Sequence, residues 1–134
     1  PKPVLHAEAD RPYAAIFLSE ESRSELLRWW GDVVGPPLLS LVFAHHVTLV
    51  YDPSVVQLEQ LTLGAEGEVQ IIGWAADEHG QAVLVRSIPV SVNELPHVTV
   101  STDGTPPVYS NTLLQQGFVP IVGPLLRGVV DVRL

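Results

Sequence analysis

Short apolar runs separated by turn-forming residues dominate the chain. Residues 13–18 are apolar throughout and predict a buried strand. A polar stretch follows, with Ser19 or Ser22 as the N-cap; Glu25 stands three residues after Ser22, a capping-box spacing. Leu26, Leu27 and Trp30 then supply the apolar face of a helix that stops between Gly31 and Gly35. A second strand is predicted over 43–51, ended by Asp52 and Pro53, and a weak helix over 54–61. The stretches 68–76 and 81–87 read as a hairpin turning at Asp77 to Gly80. A strand at 97–102 stops at Asp103 and Gly104, Ser110 or Asn111 caps a short helix through Gln116, and 127–133 closes the pattern as a strand.

The predicted order is β-α-β-(α)-β-β-β-α-β. A central hairpin between two strand–helix–strand units predicts an α+β domain, its mostly antiparallel sheet backed by two or three helices. The length of 134 residues fits one domain, with residues 1–11 expected as a tail. A hydrophobic fraction of 46% is ample for a core, and a charged fraction of 16% argues against a disordered chain. Fifteen acidic against seven basic residues give a formal charge of −8, which disfavours a broad duplex-binding surface built on Lys and Arg. With no cysteine, thiolate catalysis, disulfides and cysteine-based zinc sites are excluded. No apolar run reaches the roughly 18 residues of a membrane span. The chain lacks methionine, so the start at Pro1 is expected to be processed or cut from a longer chain.

One short echo carries candidate chemistry. His46-Val47-Thr48-Leu49 lies in the second strand and His97-Val98-Thr99-Val100 in a later one. Strand residues two apart share a face, so each segment sets an imidazole beside a hydroxyl. Two such strands facing one groove would converge two imidazoles and two hydroxyls on a volume the size of a phosphate. This group suits transfer at phosphorus without a metal or other cofactor. A neutral histidine takes a proton from the attacking oxygen, a protonated one gives a proton to the leaving oxygen, and the threonines hold the non-bridging oxygens. A single His-x-Thr has an ordinary explanation in a packed strand; two copies, each followed by a turn signal, point to His46 and His97 as an acid–base pair and Thr48 and Thr99 as phosphate ligands.

The segments Ala44-His45-His46-Val47-Thr48-Leu49 and Leu95-Pro96-His97-Val98-Thr99-Val100 resemble the two strands that mark the two-histidine phosphoesterase superfamily. The residues from Ala15 to Glu20, and from Ser110 to Leu114, look like its RNA-repair branch, which includes the cyclic phosphodiesterase domains of tRNA ligases and Swiss army knife RNA-repair-like proteins. The resemblance implies a bilobal fold with a central groove and metal-independent opening of a 2′,3′-cyclic phosphate on an RNA end or small nucleotide. It also implies a cytoplasmic setting, alone or within a larger repair protein. The 51-residue interval between the two histidines implies trimmed loops. Hydrolysis of a cyclic oligonucleotide or other 2′-linked phosphodiester is an alternative, as is a catalytically silent module that binds a phosphate or RNA end. A purely structural α+β domain would leave His46 and His97 far apart.

Other residues are weaker candidates. Ser101 lies two beyond Thr99 and would extend the hydroxyl row; Tyr51 and Tyr109 could stack on a base; Arg86 could offset phosphate charge. Strict alternation puts His45 on the face opposite His46, away from the site and from any zinc set with His46 and His97. His6 and His79 are read as solvated, in a tail and a turn.

Overall fold

The computed structural model describes residues 11–134; the expected tail, apart from Arg11, and His6 lie outside the described residues. The first strand, β1 (Tyr13–Leu18), runs into helix α1 (Glu20–Trp29). Ser19 is the cap, its Oγ accepting from the Ser22 amide at 3.1 Å. Ser22 therefore does not cap; it is buried, and its Oγ accepts instead from the Arg127 amide at 2.8 Å, tying the helix to the sheet. A π-helical turn (Trp30–Val34) follows and ends at Gly35, whose φ of 99° suits glycine.

The remaining elements are β2 (Leu41–Val42), β3 (His46–Tyr51), α2 (Val55–Glu59), β4 (Glu66–Ala76), β5 (Gly80–Ile88), β6 (His97–Thr102), α3 (Tyr109–Gln115), β7 (Val119–Pro120) and β8 (Leu125–Arg133). Ser54 and Gln57 close a capping box on α2. The expected hairpin is β4–β5. Several boundaries differ from expectation: the strand expected at 43–51 begins only at His46, the one expected at 127–133 begins already at Leu125, the two-residue strands β2 and β7 are additional, and α3 begins at Tyr109 after Val108, with no side-chain cap from Ser110 or Asn111.

All described pairings are antiparallel, and six strands close on themselves in the order β1–β3–β6–β5–β4–β8 and back to β1. β2 extends the ladder along β6 beyond β3, and β7 pairs with β4. The fold is thus α+β, a closed antiparallel sheet with three helices. Alternate residues of the strands turn inward: Ile16, Val47, Leu49, Val69, Ile71, Val83, Val85, Val98, Leu126 and Val130 form one core with Leu26 and Trp30 of the helical segment. Burial of this apolar surface is the main stabilising term. A smaller cluster packs Leu113 and Leu114 of α3 against Ala75, Ala82 and Leu84 of the hairpin. Among the described residues no helix is long and apolar enough to cross a membrane.

Candidate active site

The inward packing of Val47 and Val98 decides where the motif side chains point. These two valines are paired across β3 and β6 and are fully buried. Their neighbours must face the other side of the sheet, and antiparallel pairing then sets Thr99 beside His46 and His97 beside Thr48. All four side chains line one cleft of about 390 Å³. Its other walls are Phe43, His45, Tyr51, Asn93 and, from the approach to α3 and its first turn, Pro107, Val108 and Asn111.

His46 is clasped by rings. Tyr13 and Phe17 of β1 lie 5.4 and 5.5 Å from it, centroid to centroid, and the His45 ring lies near-parallel to it at 4.6 Å with 17° between planes. Burial holds the His46 pKa down at about 4, and the charges of His45, His97 and Arg133 push the same way. His97 is also lowered, chiefly by burial; a hydrogen bond from Nδ1 to the Leu95 carbonyl at 2.9 Å opposes that shift. A carbonyl only accepts, so this bond places a proton on His97 Nδ1 and leaves Nε2 as its second titrating nitrogen. Thr99 Oγ1 shares a hydrogen bond with the buried Ser110 hydroxyl at 2.8 Å, whereas the Thr48 hydroxyl has no hydrogen-bond partner among the described residues.

His45 is the main correction. It reaches the cleft because alternation fails just before β3: Ala44 is fully buried with φ of 54°, a left-handed conformation costly for alanine. The turn there brings Phe43, His45 and His46 all to the cleft wall, and the Nδ1 atoms of the two histidines stand 2.5 Å apart. The adjacency of the histidines was the signal; reading it by strand period sent His45 to the wrong face.

Three weaker candidates lie elsewhere. Ser101 is fully buried, its hydroxyl donating to Gln81 and accepting from the Leu39 amide. The β5–β6 register slips between Gln81 and Ala82, which face Ser101 and Thr99, so an extra residue at Val100 breaks the row of hydroxyls. Tyr109 donates its hydroxyl to Asp77, and its ring meets His79 edge-on across Gly80. Asn111, two positions on and so about 200° around the helix, faces the cleft instead. Arg86 is exposed on β5 beyond the point where Leu84 faces His97, the first residue of β6, and does not line the cleft. Tyr51 does line it. His79 is partly exposed in its turn, with Nδ1 2.9 Å from an Asp103 carboxylate oxygen that raises its pKa. Asn93 and Asn111 are further cleft residues, and nothing in their local sequence pattern marks them.

Among the described residues the cleft wall carries no Lys, Arg, Asp or Glu. Among the described residues no three His, Asp or Glu side chains are gathered as a metal-ligand set. The arrangement offers two imidazoles for proton transfer, hydroxyls and amides for oxygen atoms, and apolar ring faces beside them. No family model, curated protein or solved structure matches the chain.

Proposed function

We propose that this cleft is the active centre of a metal-independent phosphodiesterase that opens a 2′,3′-cyclic phosphate. The observation that carries the reading is the Val47–Val98 pairing, which converges both His-x-Thr segments on one cleft. On this reading the cleft is the groove of a two-histidine phosphoesterase-like fold.

The depressed pKa of His46 suits the base and the less perturbed environment of His97 suits the acid. A water O–H proton passes to His46 as the water oxygen bonds to phosphorus. The bond from phosphorus to O2′ or O3′ breaks, and His97 protonates that leaving oxygen. A cyclic diester and water thus become a phosphomonoester, and the proton returns from His46 to His97 through solvent. Thr48 and Thr99 donate to the non-bridging oxygens as negative charge builds. Tyr51 and Phe43 offer ring faces to the base. A wall without cations and a net charge of −8 favour a mononucleotide or the last nucleotide of an RNA over a long strand.

The test is hydrolysis of 2′,3′-cyclic nucleotides by the full chain with and without EDTA. Turnover should survive chelation, and His46→Ala and His97→Ala should each lower it on the order of 10²- to 10⁴-fold. The double variant should lose far less than the product of the single losses. Folded single variants with near-normal turnover would defeat the mechanism. Nucleotide binding without turnover in the parent would make the cleft a binding module.

A further inference from the structure

Each cleft histidine has its Nδ1 engaged, but the partners differ in kind. His97 donates Nδ1–H to a backbone carbonyl, a fixed acceptor. His46 meets the Nδ1 of another imidazole, which accepts only while that nitrogen is unprotonated. The two rings are near-parallel, 17° between planes, with their Nδ1 edges facing each other, and the left-handed Ala44 immediately precedes them. A backbone strained in this way persists only where surrounding contacts enforce it.

We propose that His45 is a positioning residue: its Nδ1 accepts a hydrogen bond from His46 Nδ1–H, which leaves His46 Nε2 unprotonated for the cleft. The reverse arrangement, with His45 as donor, would put the His46 proton on Nε2 and disable it as a base. The inference rests on the phosphodiesterase reading for its consequence, but the tautomer is a property of the free protein. As His46 takes a proton on Nε2, the imidazolium keeps Nδ1–H on His45, just as His97 keeps its own on Leu95. No further proton moves.

The acceptor can itself titrate. Protonated on Nδ1, His45 becomes a donor and the bond to His46 is lost. The groups whose fields reach the pair are Arg23 of α1 and Arg133 of β8, with His97 of β6 acting on His46 as well; all disfavour a proton there. Burial is the largest cause of the lowered His45 pKa, ahead of the two arginines. The hydrogen bond from His46 to His45 is therefore intact at neutral pH and is lost on the acid side.

Two substitutions separate hydrogen bonding from ring packing. His45→Phe keeps a ring on His46 and removes the acceptor, whereas His45→Asn keeps an acceptor that does not titrate. Imidazole nitrogen-15 NMR on the parent near pH 7 should show His46 as the Nδ1–H tautomer. His45→Phe should shift His46 towards Nε2–H, and His45→Asn should restore the parent state. In turnover, His45→Phe should lower kcat at least about tenfold with KM little changed, below the full value of a positioned base. His45→Asn should recover most of it. An Nε2–H tautomer at His46 in the parent would overturn the proposal, as would an unchanged His46 tautomer in His45→Phe. Should the parent turn over no cyclic phosphate, the phosphodiesterase reading fails, and the nitrogen spectra still decide the role of His45.

Discussion

At the scale of single residues the two histidines are set apart by their surroundings. His46 sits among rings with its pKa near 4, and His97, also lowered, keeps the support of the Leu95 carbonyl. The productive state has His46 neutral and His97 protonated. It is filled above the His46 value and emptied as pH rises through the His97 value. The kcat/KM profile should therefore be a bell with its acid limb near 4 and its alkaline limb below 6.5, both limbs being properties of the coupled pair. A bound phosphate anion favours the imidazolium, so the kcat profile should lie at higher pH; an optimum above 7 for kcat/KM would contradict the assignment of roles. The threonines should differ too. Thr48→Ala should weaken transition-state binding by about 1.5–3 kcal/mol, the worth of a hydrogen bond to a charged group, and leave folding alone. Thr99→Ala should lose as much and also strand the buried Ser110 hydroxyl, costing about 1–3 kcal/mol of stability in urea denaturation.

Among the elements, the pairing of β1 with β8 is tightly constrained at one position. Gly128 faces Leu18, and a Cβ placed there would stand 2.2 Å from the Phe17 carbonyl oxygen, which is backbone and cannot swing away. Gly128→Ala should push these strands apart and cost more than about 3 kcal/mol, the usual upper range for overpacking. Gly31→Ala, at a position with nothing within 4 Å, serves as the control and should change the urea midpoint little. Equal effects of the two substitutions would show that the β1–β8 approach is looser than described. Because β1 also carries Tyr13 and Phe17 against His46, the damage should reach the site as well as the fold.

For the whole molecule, the net charge of −8 acts on any phosphate-bearing substrate before contact. Among the described residues no Lys or Arg lines the cleft wall, and Arg23 and Arg133 act on it only from behind its histidines. Added salt screens repulsion within about a Debye length, so kcat/KM for an RNA ending in a cyclic phosphate should rise with ionic strength, and more steeply than for a mononucleotide. A fall with salt for both substrates would reveal a cationic approach path. The same comparison reports whether the cleft prefers a short ligand.

The main elements and their order were legible because hydrophobic runs and Gly, Pro and Asp turns are local signals, whereas the two-residue strands β2 and β7 carry no such signal. The strand at 13–18, the 77–80 turn and the paired His-x-Thr segments all follow from spacing alone. The shared face of each His–Thr pair was equally local, since β3 and β6 keep strict alternation from residue 46 to 48 and from 97 to 99. Alternation could not foresee its own interruptions. The left-handed Ala44 delivered His45 to the cleft, and the register slip near Val100 buried Ser101. Nor could any local pattern foresee that β5 and β6 pair to close the sheet, or that α3 aims Asn111 at the cleft and Tyr109 away from it. Those outcomes depend on contacts between residues far apart in the chain, where packing around the valine core overrides the period of any one strand.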